Sequence, residues 1–418
     1  MSMEARVYLD VSYTRIQQGN VGITRTVRRL AGELATFTSC TPVAWHRSGF
    51  RAVRWPIEAP RAGAPARGGL AARLFGLAHS SPMRRLAGML PVSLVHLGWS
   101  ALNALTFNRL SARDKPIAFA RGDLLLLADE GWNYPAWRAA AQARAKGARV
   151  VLVVYDLIPL RHPAFCAPLF SRVFGRWLPR MLACCDAVAC ISRATEEDLR
   201  AWSAQQRVEL PPTAHFRLGS ELPTGDGDIR GELSAFTEDE APFFLAVGTI
   251  EPRKNLESLV RAFEQLWREG STARLLIAGR PHPQCAHLVA RVRDHPQQGR
   301  KLFAVFDATD AELATAYSRC RALVFPSLAE GFGLPLVEAR VRGCPVIASD
   351  LPALAELADA GVFLFPAGDE AALVSMLRDH IAQDHRAQTL PMPVFTWNDS
   401  AHQLMRVGGD LLGATWKT

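Results

Sequence analysis

The chain has 418 residues, of which 49% are hydrophobic and 21% are charged, a composition typical of globular proteins and not of disordered or fibrous ones. This length predicts two domains, because a single hydrophobic core rarely grows beyond about 250–300 residues. The N-terminus lacks a basic segment followed by an apolar one, and the eight cysteines show neither Cys-x-x-Cys pairs nor zinc-ligand spacing. We therefore expect no secretory signal, cysteines that serve as small apolar side chains, and a cytoplasmic location.

The net charge of +8 is distributed unevenly along the sequence. Residues 1–230 contain 30 Lys and Arg against 17 Asp and Glu, whereas the remainder contains 18 against 23. Much of the excess lies in residues 46–115, with 11 basic and 2 acidic residues. This asymmetry predicts an anionic partner for the first half. Nucleic acid is disfavoured because no zinc-finger, helix-turn-helix or RNP motif is present, so an anionic membrane surface is the favoured partner.

Short apolar runs alternate with amphipathic segments along most of the chain. Several runs, such as residues 150–155, are apolar on both faces, as expected of parallel strands that helices cover on each side. Strands are predicted at residues 6–10, 41–45, 123–127, 150–155, 187–191, 214–218, 243–247, 274–278, 302–306, 322–325, 346–348 and 362–365. Helices are predicted at residues 21–34, 134–146, 195–204, 256–269, 311–318 and 334–342. This alternation predicts an α/β protein with two doubly wound domains.

Two irregular stretches interrupt this pattern. The first, residues 46–120, contains an uncharged segment at 86–107, which predicts either a helical hairpin or an interfacial membrane segment, with a transmembrane span less favoured. The second, residues 221–241, is polar and glycine-rich and predicts an interdomain linker. Within it, Asp226-Gly-Asp228 matches the D-x-D pattern of some metal sites. Because the match is short and does not follow a strand, it is interpreted as chance, and no metal is expected.

The densest candidate site is the segment of residues 325–338. A predicted strand ends there, a loop with Gly331 and Gly333 follows, and Leu334 with Pro335 begins a helix. The glycines allow close backbone approach to a ligand, and the free N–H groups of a helix start favour an anionic or hydroxyl-rich group. Glu330 and Glu338 can accept hydrogen bonds from sugar and ribose hydroxyls, although ordinary acidic residues of a surface helix are the alternative.

A second candidate segment, residues 248–255, lies between the first strand and the first helix of the second domain. Arg253 and Lys254 are predicted at the carboxyl end of a parallel sheet, where such folds bind ligands. Two fixed cations there can hold a diphosphate and stabilise its charge as it leaves. A solvated Arg-Lys pair is the alternative. Asn255 is predicted to cap the following helix.

The Glu330-x7-Glu338 pattern, with Arg253-Lys254-Asn255 upstream, resembles the retaining glycosyltransferases of family 4, and the resemblance extends over nearly the whole chain. It implies the GT-B fold, in which two Rossmann-like domains face a central cleft and a C-terminal helix returns to the first domain. The implied boundaries are a first domain at 1–222 with an insertion at 46–120, a linker at 223–241, a second domain at 242–395 and a returning helix at 396–418. Further similar segments are residues 20–28, 154–159, 191–195 and 395–397.

The resemblance also implies roles for individual residues. Glu330, with the backbone of Gly331, Phe332, Gly333 and Leu334, would contact the transferred sugar, and Glu338 would bind the ribose. Arg253 and Lys254 would bind the diphosphate beside Gly248, and Gly22 would lie in the loop that faces acceptor and phosphates. Asp156 and the backbone of Tyr155 would contribute at the sugar site. Many family members have His-Asp where this chain has Tyr155-Asp156, so a role of the histidine side chain is not carried over.

These residues together predict an enzyme that transfers a hexose from a nucleotide sugar to a lipid-linked or polysaccharide acceptor in cell-surface glycan assembly. No carboxylate is clearly placed as a covalent nucleophile, so the leaving phosphate oxygen is expected to accept the proton of the acceptor, with retention of configuration. The motif style resembles mannosyl- and rhamnosyl-type transferases and favours a GDP-sugar over a UDP-sugar. An epimerase or phosphorylase with the same fold and a non-catalytic assembly scaffold are the alternatives.

Overall fold

A computed structural model describes residues 5–17, 22–54, 114–221, 229–239, 241–383, 386, 389–414 and 416. The chain divides into two compact units, one formed by Met1–Leu218 with Trp397–Thr418 and the other by Gly219–Thr396. The uncharged segment 86–107, most of the predicted insertion and the Asp226-Gly-Asp228 match lie outside the described residues.

The first domain is built on an eight-stranded sheet in the order β4-β3-β2-β1-β5-β6-β7-β8. The neighbouring strands β2, β1, β5, β6, β7 and β8 pair in parallel. Strand β3 pairs antiparallel with β2, and β4 pairs antiparallel with β3. The strands are β1 (Val7–Asp10), β2 (Cys40–His46), β3 (Gly49–Ala52), β4 (Lys115–Pro116), β5 (Leu124–Leu127), β6 (Arg149–Val154), β7 (Ala187–Cys190) and β8 (Thr213–His215). The sequence did not predict β3 and β4, because both are short and carry too few apolar residues for a strand pattern.

Helices flank this sheet, and the last one comes from the C-terminus. They are α1 (Gly22–Phe37), α2 (Ala136–Ala145), α3 (Ile158–Arg161), α4 (Pro168–Leu182), α5 (Arg193–Gln206) and α13 (Trp397–Leu412). Helix α13 packs on α1 and β7, and the ring of His402 stacks on Phe37 with centroids 3.8 Å apart. The predicted return of the C-terminal helix to the first domain is therefore confirmed. Helix α4 was not predicted; it has Pro168 at its first position and Pro179 inside it.

The second domain has a six-stranded, fully parallel sheet in the order β11-β10-β9-β12-β13-β14. Its strands are β9 (Phe243–Val247), β10 (Arg274–Ala278), β11 (Leu302–Val305), β12 (Ala322–Phe325), β13 (Val346–Ser349) and β14 (Val362–Phe365). This is the Rossmann order, so the prediction of two doubly wound α/β domains is confirmed. The strand order reverses between β9 and β12, and ligands of such sheets bind outside the carboxyl ends of the strands at that point.

The helices of the second domain are α6 (Gly231–Glu238), α7 (Leu256–Arg268), α8 (Ala286–Arg293), α9 (Asp310–Arg319), α10 (Leu334–Val341), α11 (Pro352–Ala355) and α12 (Glu370–Ala382). Helix α6 lies within the stretch 223–241 that the sequence predicts as the interdomain linker. Its Phe236 packs on Phe243 and Phe303 with ring centroids 5.8 and 5.3 Å away. These apolar contacts join α6 to the second domain.

Candidate functional site

The two candidate segments of the second domain meet at the point where its strand order reverses. Residue Gly248 follows β9 with a φ of +136°, which a glycine adopts without strain. The backbone N–H of Leu328, in the loop after β12, donates to the carbonyl oxygen of Arg253 at 2.7 Å. The loops after β9 and β12 are therefore joined by a main-chain hydrogen bond, which brings Arg253 and Lys254 to Glu330.

Glu330 forms the centre of a buried ion-pair cluster. One carboxylate oxygen accepts from Arg253 Nη1 at 2.7 Å, and the other accepts from Lys254 Nζ at 2.5 Å. The side chain of Glu330 is only 7% exposed, that of Lys254 is 9% exposed and that of Arg253 is 22% exposed. Arg253 also pairs with Glu251 at 2.7 Å, and the ammonium of Lys254 lies 4.5 Å from the ring centroid of Phe325.

The electrostatics of this cluster keep Glu330 ionised. Burial by itself opposes ionisation of the carboxyl, but the charges of Arg253 and Lys254 outweigh it and lower the pKa of Glu330 to about 2. Burial also lowers the pKa of Lys254, and the neighbouring Glu330 counteracts this effect. Glu330 is therefore a carboxylate that only accepts hydrogen bonds. It lies beside two cations, of which the Arg253 guanidinium is partly exposed.

The start of helix α10 is shaped by the glycine loop. Gly333 precedes α10 with a φ of +115°, and a Cβ atom there would lie 2.6 Å from Leu354 Cδ2. Leu334 and Pro335 begin the helix, and Phe332 is buried. Together with Gly331, these residues form the connection between Glu330 and α10, and the backbone N–H groups of Leu336 and Val337 in its first turn both donate to the carbonyl oxygen of Gly333.

Glu338 is buried in α10 and bonded to a tyrosine that sequence analysis missed. The hydroxyl of Tyr317, on α9, donates to Glu338 Oε2 at 3.0 Å, and both residues are at most 2% exposed. Tyr317 belongs to the apolar face of α9, so nothing in its sequence context distinguishes it from a core residue. Glu251, the second partner of Arg253, was also missed because it lies in a short loop with other charged residues.

Asn255 occupies the position before α7, as predicted, but does not cap it in the predicted way. Its side chain accepts from the hydroxyl of Ser258 at 2.8 Å and makes no hydrogen bond to the helix backbone. The backbone of Asn255 is left-handed, with a φ of +52°, whereas capping residues are normally extended.

The remaining predicted site residues belong to the first domain. Tyr155 follows β6, and its hydroxyl donates to the carbonyl oxygen of Ala128 at 2.7 Å. Asp156 is half-buried, and its carboxylate accepts from the backbone N–H of Ile158 at 3.0 Å. Gly22 is the exposed first residue of α1, with a φ of +55°. These three residues lie in one domain, whereas Gly248, Arg253, Lys254, Glu330 to Leu334 and Glu338 lie in the other.

The described part of the chain contains no group of three or more His, Cys, Asp or Glu side chains arranged to hold a metal ion. None of its helices is both long enough and apolar enough to cross a membrane.

Residues 234–390 match the family described as Glycosyl transferases group 1. This part of the chain is a group 1 glycosyl transferase domain. It includes Arg253, Lys254, Glu330 and Glu338, so the candidate cluster belongs to the group 1 domain. The resemblance to glycosyltransferases that the sequence suggested is thereby confirmed.

Relatives and solved structures agree with this assignment. The chain is 34% identical over 308 residues to the serotype-specific mannosyltransferase WbdA of Escherichia coli, which covers 70% of this chain and 38% of WbdA. It is 31% identical over 142 residues to the O-antigen chain mannosyltransferase RfbU of Salmonella typhimurium, covering 34% of this chain and 39% of RfbU. The chain therefore spans about two fifths of the length of these relatives.

The fold is similar to that of sucrose-phosphate synthase from Thermosynechococcus elongatus, with a TM-score of 0.67, 19% identity and coverage of 99% of this chain and 100% of the other. Anabaena HepE, solved with UDP and glucose, has a TM-score of 0.58, 13% identity and coverage of 97% and 95%. With the two parallel-sheet domains and the returning helix α13, these similarities confirm the predicted GT-B fold.

Proposed function

We infer that this chain transfers a hexose from a nucleoside diphosphate sugar to a glycan acceptor, with retention of the anomeric configuration. The observation that carries this proposal is the buried cluster in which Arg253 and Lys254 both contact Glu330 where the strand order of the group 1 domain reverses. The cluster offers cations for a diphosphate and an ionised acceptor for sugar hydroxyls within a few ångströms of each other.

The chemistry follows from the charges of this cluster. A nucleoside diphosphate becomes a better leaving group when cations stabilise the charge that develops on its phosphate oxygens. Arg253 is suited to this task because its guanidinium has five N–H donors and is partly exposed, so it can contact a ligand. Lys254 supplies a second charge from a nearly buried position. Two fixed cations replace the divalent ion that other transferases use, so no metal is required.

Glu330 would orient the sugar by accepting hydrogen bonds from its hydroxyls, and its low pKa keeps it from acting as a proton donor. The leaving phosphate oxygen would then take the proton of the acceptor hydroxyl on the face where the new bond forms. Glu338 would bind the ribose of the nucleotide. Asp156 and the backbone of Tyr155 would contribute from the first domain, with Gly22 in the loop facing acceptor and phosphates.

The donor favoured here is GDP-mannose or a similar GDP-sugar, because the relatives WbdA and RfbU are named mannosyltransferases. A UDP-sugar is the competing donor, since Anabaena HepE was solved with UDP. Incubation of the purified chain with GDP-, UDP- and dTDP-sugars, followed by thermal shift, identifies the nucleotide that stabilises it. Analysis of the product by NMR then distinguishes retention from inversion, and an inverted product would refute the mechanism.

Two alternatives are separated by the same experiment. An epimerase would convert the donor without any glycan acceptor, and a phosphorylase would cleave a glycan with inorganic phosphate and consume no nucleotide sugar. A transferase instead releases nucleotide in proportion to the acceptor consumed. A non-catalytic scaffold would bind no nucleotide sugar, and the intact cluster of Arg253, Lys254 and Glu330 argues against such a loss of function.

The proposed acceptor is a lipid-linked or polysaccharide glycan at the cytoplasmic face of a membrane, as in O-antigen assembly. Helix α4 supports contact with an anionic membrane surface. Its residues Arg172, Arg176 and Arg180 recur every fourth residue, and residues 131–185 contain eight basic residues against the single acidic Asp156. Like charges at this spacing repel one another on a helix, and an anionic surface relieves that repulsion. The segment 46–115, whose charge predicts membrane contact, lies mostly outside the described residues.

A further inference from the structure

The buried Tyr317 and Glu338 form a donor-acceptor pair between two helices of the group 1 domain. The Tyr317 hydroxyl donates to Glu338 Oε2 at 3.0 Å, and Tyr317 is fully buried. A carboxylate that is 2% exposed needs hydrogen-bond donors in place of the water it has lost. A phenol supplies one donor without a charge, so it orients the carboxylate without neutralising it.

Helix α9, which carries Tyr317, is held at its C-terminal end by one arginine. Arg386 donates to the carbonyl oxygens of Tyr317, Ser318 and Cys320 at 3.1, 2.6 and 2.7 Å. These three carbonyls belong to the last turn of α9 and to the residue that follows it. The backbone position of Tyr317 is thus set by a contact that does not involve Glu338.

Helix α10, which carries Glu338, is held by a second arginine. Arg340 pairs with both carboxylate oxygens of Asp359, at 2.8 and 3.0 Å, and donates to the carbonyl oxygens of Cys344 and Leu390 at 3.1 and 2.7 Å. Its side chain is only 3% exposed. The segments that follow the two helices also touch, because the sulfur atoms of Cys320 and Cys344 lie 3.2 Å apart.

Each helix is thus held by its own arginine. The Tyr317 hydroxyl therefore contacts the carboxylate of a residue, Glu338, whose backbone is already fixed. Such an arrangement fixes the side-chain rotamer of Glu338 before any ligand binds. We propose that Tyr317 is a positioning residue that aims the Glu338 carboxylate at the ribose hydroxyls of the nucleotide. This inference rests on the proposed function of Glu338, and it adds a determinant of nucleotide affinity that lies outside the two candidate loops.

The test is a double-mutant cycle on the full chain with Tyr317→Phe, Glu338→Gln and the double variant. The readout is the dissociation constant for GDP and for UDP, measured by calorimetry. Removal of one hydrogen bond from a carboxylate that binds ligand is expected to weaken nucleotide binding roughly tenfold. The loss should appear in KM, with kcat at saturating donor changed less. In the Glu338→Gln background, Tyr317→Phe should have a smaller effect, because a neutral amide binds ribose hydroxyls more weakly than a carboxylate and gains less from being oriented.

Tyr134→Phe is the matched control. The Tyr134 hydroxyl is also hydrogen-bonded to a buried carboxyl group, that of Asp10, but in the first domain. This variant should lower the melting temperature and leave nucleotide affinity unchanged. If Tyr317→Phe folds poorly, Arg386→Gln replaces it, since it loosens the last turn of α9 while retaining the phenol, and its effect should likewise be smaller in the Glu338→Gln background.

The outcomes separate the inference from the function on which it rests. If Glu338→Gln weakens nucleotide binding but Tyr317→Phe does not, or if the two effects are additive, the positioning role is refuted. If Glu338→Gln leaves nucleotide affinity unchanged, the proposed role of Glu338 itself is wrong. The positioning role is supported if the effects of Tyr317→Phe and Glu338→Gln on nucleotide affinity are not additive and Tyr134→Phe leaves that affinity unchanged.

Discussion

The ammonium of Lys254 lies 2.5 Å from a carboxylate oxygen of Glu330, and the two residues are 76 positions apart in the chain. They come together because Lys254 follows β9 and Glu330 follows β12, which are neighbouring parallel strands. The carboxyl ends of these strands thus bring a cation and a carboxylate to one edge of the sheet, where Arg253 contacts the same carboxylate.

Glu330→Gln is expected to reduce turnover by two to three orders of magnitude, because it replaces the charged acceptor of sugar hydroxyls with a neutral amide and removes the carboxylate that both cations contact. The matched control is Glu312→Gln, which also removes a buried carboxylate, paired with Arg230 at 2.5 Å in the same domain. Both variants should lose stability, since each leaves an uncompensated charge. Only Glu330→Gln should lose kcat, and near-normal turnover in a folded Glu330→Gln protein would remove Glu330 from the site.

Gly333→Ala should destabilise the second domain and reduce nucleotide binding. The substitution imposes a positive φ on a residue with a Cβ and places that atom 2.6 Å from Leu354. Gly270→Ala is the control, because Gly270 has a φ of +93° but no atom within 4 Å of the added carbon. Both variants should show the conformational cost of about 1 kcal/mol in denaturant unfolding. A larger loss for Gly333→Ala is expected from the steric contact, and equal losses would contradict it.

Activity is expected to survive EDTA, because Arg253 and Lys254 supply the charge that a divalent ion would otherwise provide. Assays with the identified donor, before and after treatment with EDTA, measure this directly. Loss of activity that Mn²⁺ or Mg²⁺ restores would contradict the proposal and would return attention to Asp226 and Asp228.

The stability of the first domain should fall as the pH rises from 5 to 7. Burial and the neighbouring Asp129 raise the pKa of Asp10 from its ordinary value near 3.8 to about 7. In this window the unfolded chain has released the proton of Asp10 while the folded chain retains it, so raising the pH favours unfolding. Asp10→Asn should reduce this slope by at most the contribution of one proton, which is roughly 1.4 kcal/mol per pH unit.

Denaturant unfolding at pH 5, 6 and 7 measures that slope, with Glu196→Gln as the control. The pKa of Glu196 is lowered, because hydrogen bonds from His215 and Arg200 outweigh the opposing effect of burial. Glu196 is therefore mostly ionised in both states, and its removal should change the slope less than Asp10→Asn does. An Asp10→Asn protein with the slope of the wild type would show that Asp10 does not hold its proton in the fold.

Substitution of the α4 arginines should weaken binding to anionic vesicles. The triple variant Arg172→Gln, Arg176→Gln and Arg180→Gln removes three charges, each worth about 1 kcal/mol near an anionic surface at low salt. We expect at least a tenfold loss in partitioning onto vesicles with phosphatidylglycerol, and no binding to pure phosphatidylcholine. The control removes three exposed charges elsewhere, at Arg268, Arg300 and Arg406.

Co-sedimentation at low and high salt measures this partitioning, and the attraction should decline as salt screens the charges. If the intact protein does not sediment with anionic vesicles at low salt, membrane docking is refuted. If both triple variants bind equally well, helix α4 is not the docking surface.

The sequence by itself determined the periodic elements of this protein. Apolar runs such as that of β6 and amphipathic segments such as α7 are local patterns of burial, so they reveal strands and helices without knowledge of their partners. The Glu330-x7-Glu338 segment and the Arg253-Lys254 pair were likewise visible, because each lies at a predicted junction between a strand and a helix.

Only the tertiary structure decided which of these pieces meet. The hydrogen bond between Tyr317 and Glu338 joins two helices through a tyrosine whose context is that of an ordinary core residue. Helix α6 was hidden in polar sequence because its stability comes from Phe236 packing on strands of the second domain. Strands β3 and β4 are too short to show a pattern, and each forms on the hydrogen bonds of its neighbour, β3 on the edge of β2 and β4 on the edge of β3. Long-range contacts of this kind leave no local periodicity, so they are settled by packing and not by the order of residues.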